Sequence, residues 1–479
     1  MATDPDTRAR RKSGLPPKPN PGVSWPERLI KTPFTWVSVG LVVTYIVLLV
    51  LLYNQVVHDR EVAGGVLPGM GAEAWDKGAA WGLISLIPFA LAFILSDRWR
   101  PQRLWIWLLA LGWGACVATF LSMQINTWAA GNLSIEGSGD PATASRAAIF
   151  VAPFVEEATK GSVLFLLAIL LRYRWVSRLS AVSLAGLSAI GFAYVENILY
   201  YGRAYRYAAE TYGVASPDEA LRQIFFLRGV MTPFAHPLFT IMIGIGLGLA
   251  LRTKSKTVRI LAPLVGFLAA AFLHMSFNAT ATLVQGPVLL MMWVTALLLV
   301  VRLAVMVVRE VNKQGRLVHY RLTEYVQMGW LEPGDPDSVS GLRKRIRALW
   351  YAIWHPVRNL PPTIAWHSTL SELAYLRDAM VRGLVDQAGW QRERELLEQA
   401  RALRGSGAII TPEGKPDYPW RVLRRRGGLK QWSTPQQWAP PTGAPASTPQ
   451  VTAGTPGSAP LGHSSKQYSA VDPTWGPPQ

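Results

Sequence analysis

Eight stretches of this chain, at roughly 34–53, 79–96, 104–125, 147–171, 179–201, 230–251, 260–283 and 287–308, are each apolar enough and long enough to cross a bilayer as a helix. The threshold is about 20 mostly apolar residues, because a helix rises about 1.5 Å per residue and the hydrocarbon core is about 30 Å thick. The chain therefore reads as all-α, a polytopic membrane protein with about eight transmembrane helices. Its charged fraction of 16% agrees, being well below the roughly 25% of ordinary soluble domains. About thirty polar residues precede the first apolar run, which is too long for a signal-peptide core and has no small-residue cleavage site after it, so the first span is expected to stay in the membrane.

The loops test this reading independently. "RARRK" near the N-terminus and the short loops "DRWRPQR", "RYRWVSR" and "RTKSKTVR" are strongly basic, whereas 54–78 and 126–146 are acid-rich and nearly free of Lys and Arg. Basic and non-basic loops alternate as eight spans require, which places both termini in the cytoplasm of a multi-pass cell-membrane protein. The loop 202–229, with four arginines against three acids, is ambiguous, and its neighbours assign it to the outside. The net charge of +18 is thus a membrane signature, and no nucleic-acid partner is expected. Four regions follow: a basic cytoplasmic segment 1–33, an eight-span domain 34–308, a cytoplasmic helical region 309–429, and a Pro/Gly/Ser/Thr-rich tail 430–479 expected to be disordered. In the third region, helical patterns run near 316–328, 341–354 and 366–404, and the basic run 421–430 reads as a solvated or lipid-facing patch.

Against this apolar background the stretch "FVEEATKG" at 154–161 stands out, since a charged side chain at the bilayer centre costs about 2.5–3.5 kcal/mol on insertion scales. Four consecutive spans carry such groups. The fourth holds Glu156, Glu157 and Lys160, and the fifth holds Glu196 and Asn197. The sixth holds His236, and the seventh holds His274 and Asn278. Counted from the span ends, these positions fall roughly 8–14 Å below the outer surface, so all four helices can contribute to one layer. Glu156 and Lys160, and likewise His274 and Asn278, are four residues apart and share a helix face, while Glu157 turns about 100° away and needs another partner. Pro153, Pro233 and Pro237 are placed to open the helices beside these groups.

Two histidines with several carboxylates are the components of a zinc hydrolase, which holds its ion through three N/O ligands and keeps one position for water. His236, His274 and Glu196 are the expected ligands. Glu156 is the expected base, Lys160 sets its charge state, Glu157 anchors the helices, and Asn278 is a candidate donor to a developing oxyanion. The lone Cys116 rules out an internal disulfide and a cysteine-based metal site. "GIGLG" at 244–248 reads as small-residue helix packing, and His58, His319, His355, His367 and His463 read as solvated.

Taken together, "EEATK", "FAYVENILY" with Phe192 four residues before Glu196, the later intramembrane His236, and "HMSFN" with His274 four before Asn278 resemble the PrsW family of intramembrane metalloproteases, which is distantly similar to the CAAX-prenyl-protease and bacteriocin-processing membrane proteases. The resemblance covers about 34–308, with the motifs at 147–283. It implies hydrolysis of a peptide bond in a membrane-anchored protein substrate such as an anti-sigma factor, on the extracytoplasmic side. The soluble region after 309 lies outside it. Two rivals remain at this point, a proton- or ion-coupled transporter and a non-catalytic membrane scaffold. The first predicts an inverted repeat, but the charged groups lie in one contiguous block of spans.

Overall fold

The computed structural model describes residues 27–409 apart from 28–29, 31–32, 63–64, 98, 100–103, 134–145, 171–177, 212–214, 285, 355–358, 386 and 407–408. The expected disordered tail, the basic run 421–430, His355, His463 and nearly all of segment 1–33 lie outside the described residues. The chain divides into two units, Met1–Val311 and Asn312–Gln479.

In the first unit, α1 spans Pro33–Val57 and is followed by a short antiparallel hairpin of β1 (Arg60–Val62) and β2 (Gly65–Leu67), and then by α2 (Ala72–Ser96). Helix α3 comprises Leu104–Gly112, a π turn at Trp113–Ala118 and Thr119–Leu133. Helix α4 opens with a π turn at Ala147–Val151 and continues as Ala152–Leu170. Next come α5 (Arg178–Glu210), α6 (Pro217–Phe225, continued by a π turn at Phe226–Met231), α7 (Ala235–Ala250), α8 (Lys256–Leu283) and α9 (Pro287–Gln327).

Seven of these helical segments, all except α4 and with α6 and α7 counted as one, are long and apolar enough to cross a membrane. The eighth expected span is α4 itself, whose 19-residue α-helical part carries Glu156, Glu157 and Lys160. Its partners explain how those charges are tolerated, since α4 packs against α3, α5, α7 and α8 and buries Glu156, Glu157 and Lys160 on that side, leaving Phe154, Phe165 and Ile169 on its exposed face. The outer faces of α1, α2, α8 and α9 instead expose Val, Ile and Leu side chains suited to lipid.

Helix α5 is the axis of the bundle, and every residue from 179 to 193 is buried. The segment "SAVSLAGLSAIGFA" explains this, because small side chains let neighbouring backbones approach closely where lipid provides no hydrophobic drive between helices. At the crossing of α3 and α5 the approach is reciprocal. A Cβ added to Gly114 would lie 1.8 Å from the Ser188 carbonyl oxygen, and one on Gly191 would lie 2.1 Å from that of Leu111. The "GIGLG" run packs as expected, with Gly246 set against the Ala262 carbonyl of α8 and Gly244 against that of Ala181 on α5. Gly114→Ala is therefore expected to force α3 from α5 and to cost about 1–3 kcal/mol. Gly131→Ala, which meets nothing within 4 Å, should be neutral or better. Thermal unfolding of the two detergent-purified variants checks this, and equal melting curves would refute the close-packing account.

The second unit contains the end of α9, α10 (Asp335–Ser340), α11 (Leu342–Trp354), α12 (Leu360–Val381) and α13 (Gln387–Gly405). The single helical pattern expected over 366–404 is two helices. Gly383, at φ 62°, lets the backbone turn left-handed, and the N–H groups of Gly383 and Leu384 close α12 onto the carbonyls of Met380 and Ala379. Buried Leu370, Leu373, Leu396 and Leu397 form part of the core, together with Tyr375, which donates to Gln314 at 2.6 Å. His367, expected to be solvated, is buried on α12 beside Trp366 and Leu370. Burial and the nearby Arg345 guanidinium push its pKa down to about 3.

Candidate active site

The six ionisable groups expected on four spans do meet. Lys160 is fully buried, and its ammonium donates to Glu157 Oε1 at 2.9 Å and Glu156 Oε2 at 3.2 Å, lies 3.0 Å from His236 Nδ1, and sits 4.0 Å above the Phe192 ring. A lysine ammonium can only donate, so His236 Nδ1 accepts. His236 Nε2 then carries the hydrogen, which it gives to Glu196 Oε2 at 2.7 Å. His236 is thus held at both ring nitrogens.

His274 is held differently. Its Nδ1 lies 3.1 Å from Glu157 Oε1, an acceptor, so Nδ1 donates and Nε2 is left with a lone pair on the side of Glu156, 3.9 Å from Oε2. Glu157 also accepts from Thr240 at 2.7 Å. The partner that Glu157 needed is therefore threefold: Lys160 on its own helix, His274 on α8 and Thr240 on α7.

Helix irregularities position these groups. The helical path breaks between Met231 and Ala235, which sets His236 in the first turn of α7. Pro233 contributes no N–H to the break, and Pro237 lies where the helical N–H has no partner. Trp293 of α9 donates to the Met231 carbonyl at 2.8 Å and Thr232 donates to that of Leu227 at 2.9 Å, so the opened backbone stays satisfied. The π turn at the head of α4 is tied to α8 by Asn278, which donates to the Ala148 carbonyl at 2.9 Å. π turns recur at functional sites because the extra residue re-aims the side chains that follow.

These groups line a cavity of about 460 Å³ bordered by Asn126, Glu156, Glu196, Arg228, His236 and His274, with Asn278 also on its wall. Its lining comes from the C-terminal halves of α3, α5 and α8, the N-terminal ends of α4 and α7, the segment between α6 and α7 that carries Arg228, and Ser85 of α2.

Two contributors were not expected from the sequence. Arg228, from the π turn after α6, donates to Glu196 Oε2 at 2.6 Å and to Asn197 at 2.8 Å and stacks 3.8 Å over Tyr200. Asn126 donates to Glu156 Oε1 at 3.3 Å. Arg228 stands two residues before the expected start of the sixth span, inside "FFLRGVM", so the unbroken apolar run around it was the available signal.

Glu156, His236 and His274 each offer a ligand atom, all within 4.8 Å of one another. One carboxylate and two imidazoles are the donor chemistry that zinc takes in hydrolases, and a carboxylate behind His274 is the usual support for such a ligand. The residues therefore fit a metal, with one condition: His236 must give up Lys160 or Glu196 to enter the shell. Glu196, expected as the third ligand, lies outside this trio and is held instead between His236 and Arg228. Within the bonded cluster three carboxylates face one ammonium and one guanidinium, and Arg203 adds a further cation on the cavity wall.

Residues 102–307 match the family described as PrsW family intramembrane metalloprotease, and the match covers every residue of the cluster. No curated protein and no solved structure matches the chain.

Proposed function

We propose that this membrane region, similar throughout its site to that metalloprotease family, hydrolyses a peptide bond of a membrane-anchored protein, with zinc held by Glu156, His236 and His274. The observation that carries the reading is the convergence of those three ligand groups, with Glu157 fixing the tautomer of His274, on one cavity inside a membrane bundle. When bound, the ion would polarise a carbonyl and lower the pKa of a water.

The chain's own residues supply the rest. Glu196 lines the cavity beside His236 Nε2 and is the group placed to accept a proton from water and return it to the leaving amine. Arg228 and Asn197 fix the Glu196 carboxylate in that position. Lys160 and Glu157, both fully buried, hold α4, α7 and α8 in register. The roles expected for Glu156 and Glu196 are thus exchanged in this reading. Asn278, already bonded to Ala148, serves the helix contact first and reaches the cavity from its wall. With the basic loops on the cytoplasmic side, the site end of the bundle faces outward.

The test is to express the chain and its Glu196→Gln variant in matched cells and to map new protein termini in the membrane fraction. The expected result is cleavage of one or a few membrane-anchored proteins near the outer end of a span, absent in the variant. Identical termini in both would reject the protease reading and return attention to ion-coupled transport by the same cluster.

A further inference from the structure

The second unit carries a surface that nothing in the membrane site uses. Helix α11, "LRKRIRALWYAIW", packs Arg345, Ala348 and Ala352 into its own unit and turns Ile346, Trp350, Ile353 and Trp354 outward. These four are 42–56% exposed and lie at helical spacing on one face, where Trp350 and Trp354 pair with ring centroids 5.8 Å apart. Exposed large apolar side chains elsewhere in the described part of this unit are Tyr320, Ile364 and Val381, none of them on α11. Arg343 and Lys344 are exposed at the start of the same helix, and Lys344 also reaches Asp337 Oδ2 at 3.4 Å in an exposed pair.

A helix with tryptophan and isoleucine on one side and Lys/Arg at its edge is the pattern of an element lying in a bilayer interface, and basic residues there are drawn to anionic headgroups. The unit begins at Asn312, a few residues beyond the end of the last expected span near 308, so it is tethered next to a membrane surface. We infer that the exposed face of α11 docks on the surface of an anionic leaflet, with Ile346, Trp350, Ile353 and Trp354 inserted among the headgroups and Arg343 and Lys344 pairing with lipid phosphates. This is independent of the protease reading.

The only native cysteine, Cys116, is buried, so an engineered cysteine can be labelled selectively in the full-length chain. Trp354→Cys and, as a control at an exposed position of α13, Gln399→Cys would each carry an environment-sensitive fluorophore in nanodiscs of phosphatidylcholine with phosphatidylglycerol or of phosphatidylcholine alone. The expected result at position 354 is a blue-shifted emission quenched by spin-labelled lipid. That shift should be weaker without phosphatidylglycerol or with Arg343→Glu and Lys344→Glu together, while the label at 399 stays open to aqueous iodide. Equal iodide access at both positions would overturn the proposal by showing a solvated face. Protection of 354 from iodide without quenching by lipid would also overturn it, by showing that protein, either a second copy or the chain's own segment 410–479, covers the face.

Discussion

Glu156→Gln is expected to strip the metal from the purified protein together with its activity, whereas Glu196→Gln is expected to keep the metal and lose activity alone, by about 10²–10⁴-fold. The asymmetry follows from where each carboxylate sits. Glu156 presents Oε2 to the free Nε2 of His274 and belongs to the trio of ligand atoms within 4.8 Å of one another. A glutamine there keeps the shape but gives up the anionic oxygen that zinc takes from a carboxylate ligand. Glu196 is separated from that trio by His236 and is clamped by Arg228, so an amide should leave the metal in place and abolish only the proton transfer. Elemental analysis beside a cleavage assay on the substrate found by terminus mapping decides the matter. If Glu196→Gln loses the metal and Glu156→Gln keeps it, the ligand set is Glu196, His236 and His274 and the two roles revert. If both variants retain metal and activity, neither carboxylate takes part in the chemistry.

The bilayer is what makes this site legible in the sequence. Charges are costly in hydrocarbon, so Glu156, Lys160, Glu196, His236 and His274 could be picked out one by one, and rise per residue placed them in one layer; all five meet in the folded chain. Rotation about each helix axis was less legible. Rise fixes depth, but which carboxylate faces the imidazoles depends on crossing geometry, and that is set by contacts such as Gly114 on Ser188 and Gly246 on Ala262. Arg228 was lost for a different reason. Hydropathy leaves 202–229 as a loop between two spans, yet α6 and its π turn carry the chain back to the site before α7 begins. In the second unit, His367 was misjudged because burial there comes from tertiary packing, which leaves no mark in hydropathy as plain as a span's.

The largest effect on stability is expected from Lys160→Met. Lys160 is fully buried and faces Glu156, Glu157 and His236 at once, so its loss leaves Glu156 and Glu157 without their ammonium partner while Arg228 stays with Glu196. Removing one partner of a buried ion pair costs about 3–5 kcal/mol, because the other charge stays desolvated and uncompensated. The variant should therefore unfold at a markedly lower temperature in detergent or fail to accumulate. If charge balance is the cause, two further changes should restore stability. Adding Glu157→Gln to Lys160→Met removes one of the orphaned carboxylates, so the double variant should be more stable than the single one, a coupling larger than additive sites show. Zinc added to Lys160→Met should raise its melting temperature more than it raises that of the wild type, since the ion supplies the missing positive charge beside Glu156. A Lys160→Met variant as stable as the wild type would show that the lysine is not the counter-charge of this cluster. A destabilised variant that neither change restores would show that Lys160 acts by filling space between α4 and α7, and the electrostatic account of the site would fall with it.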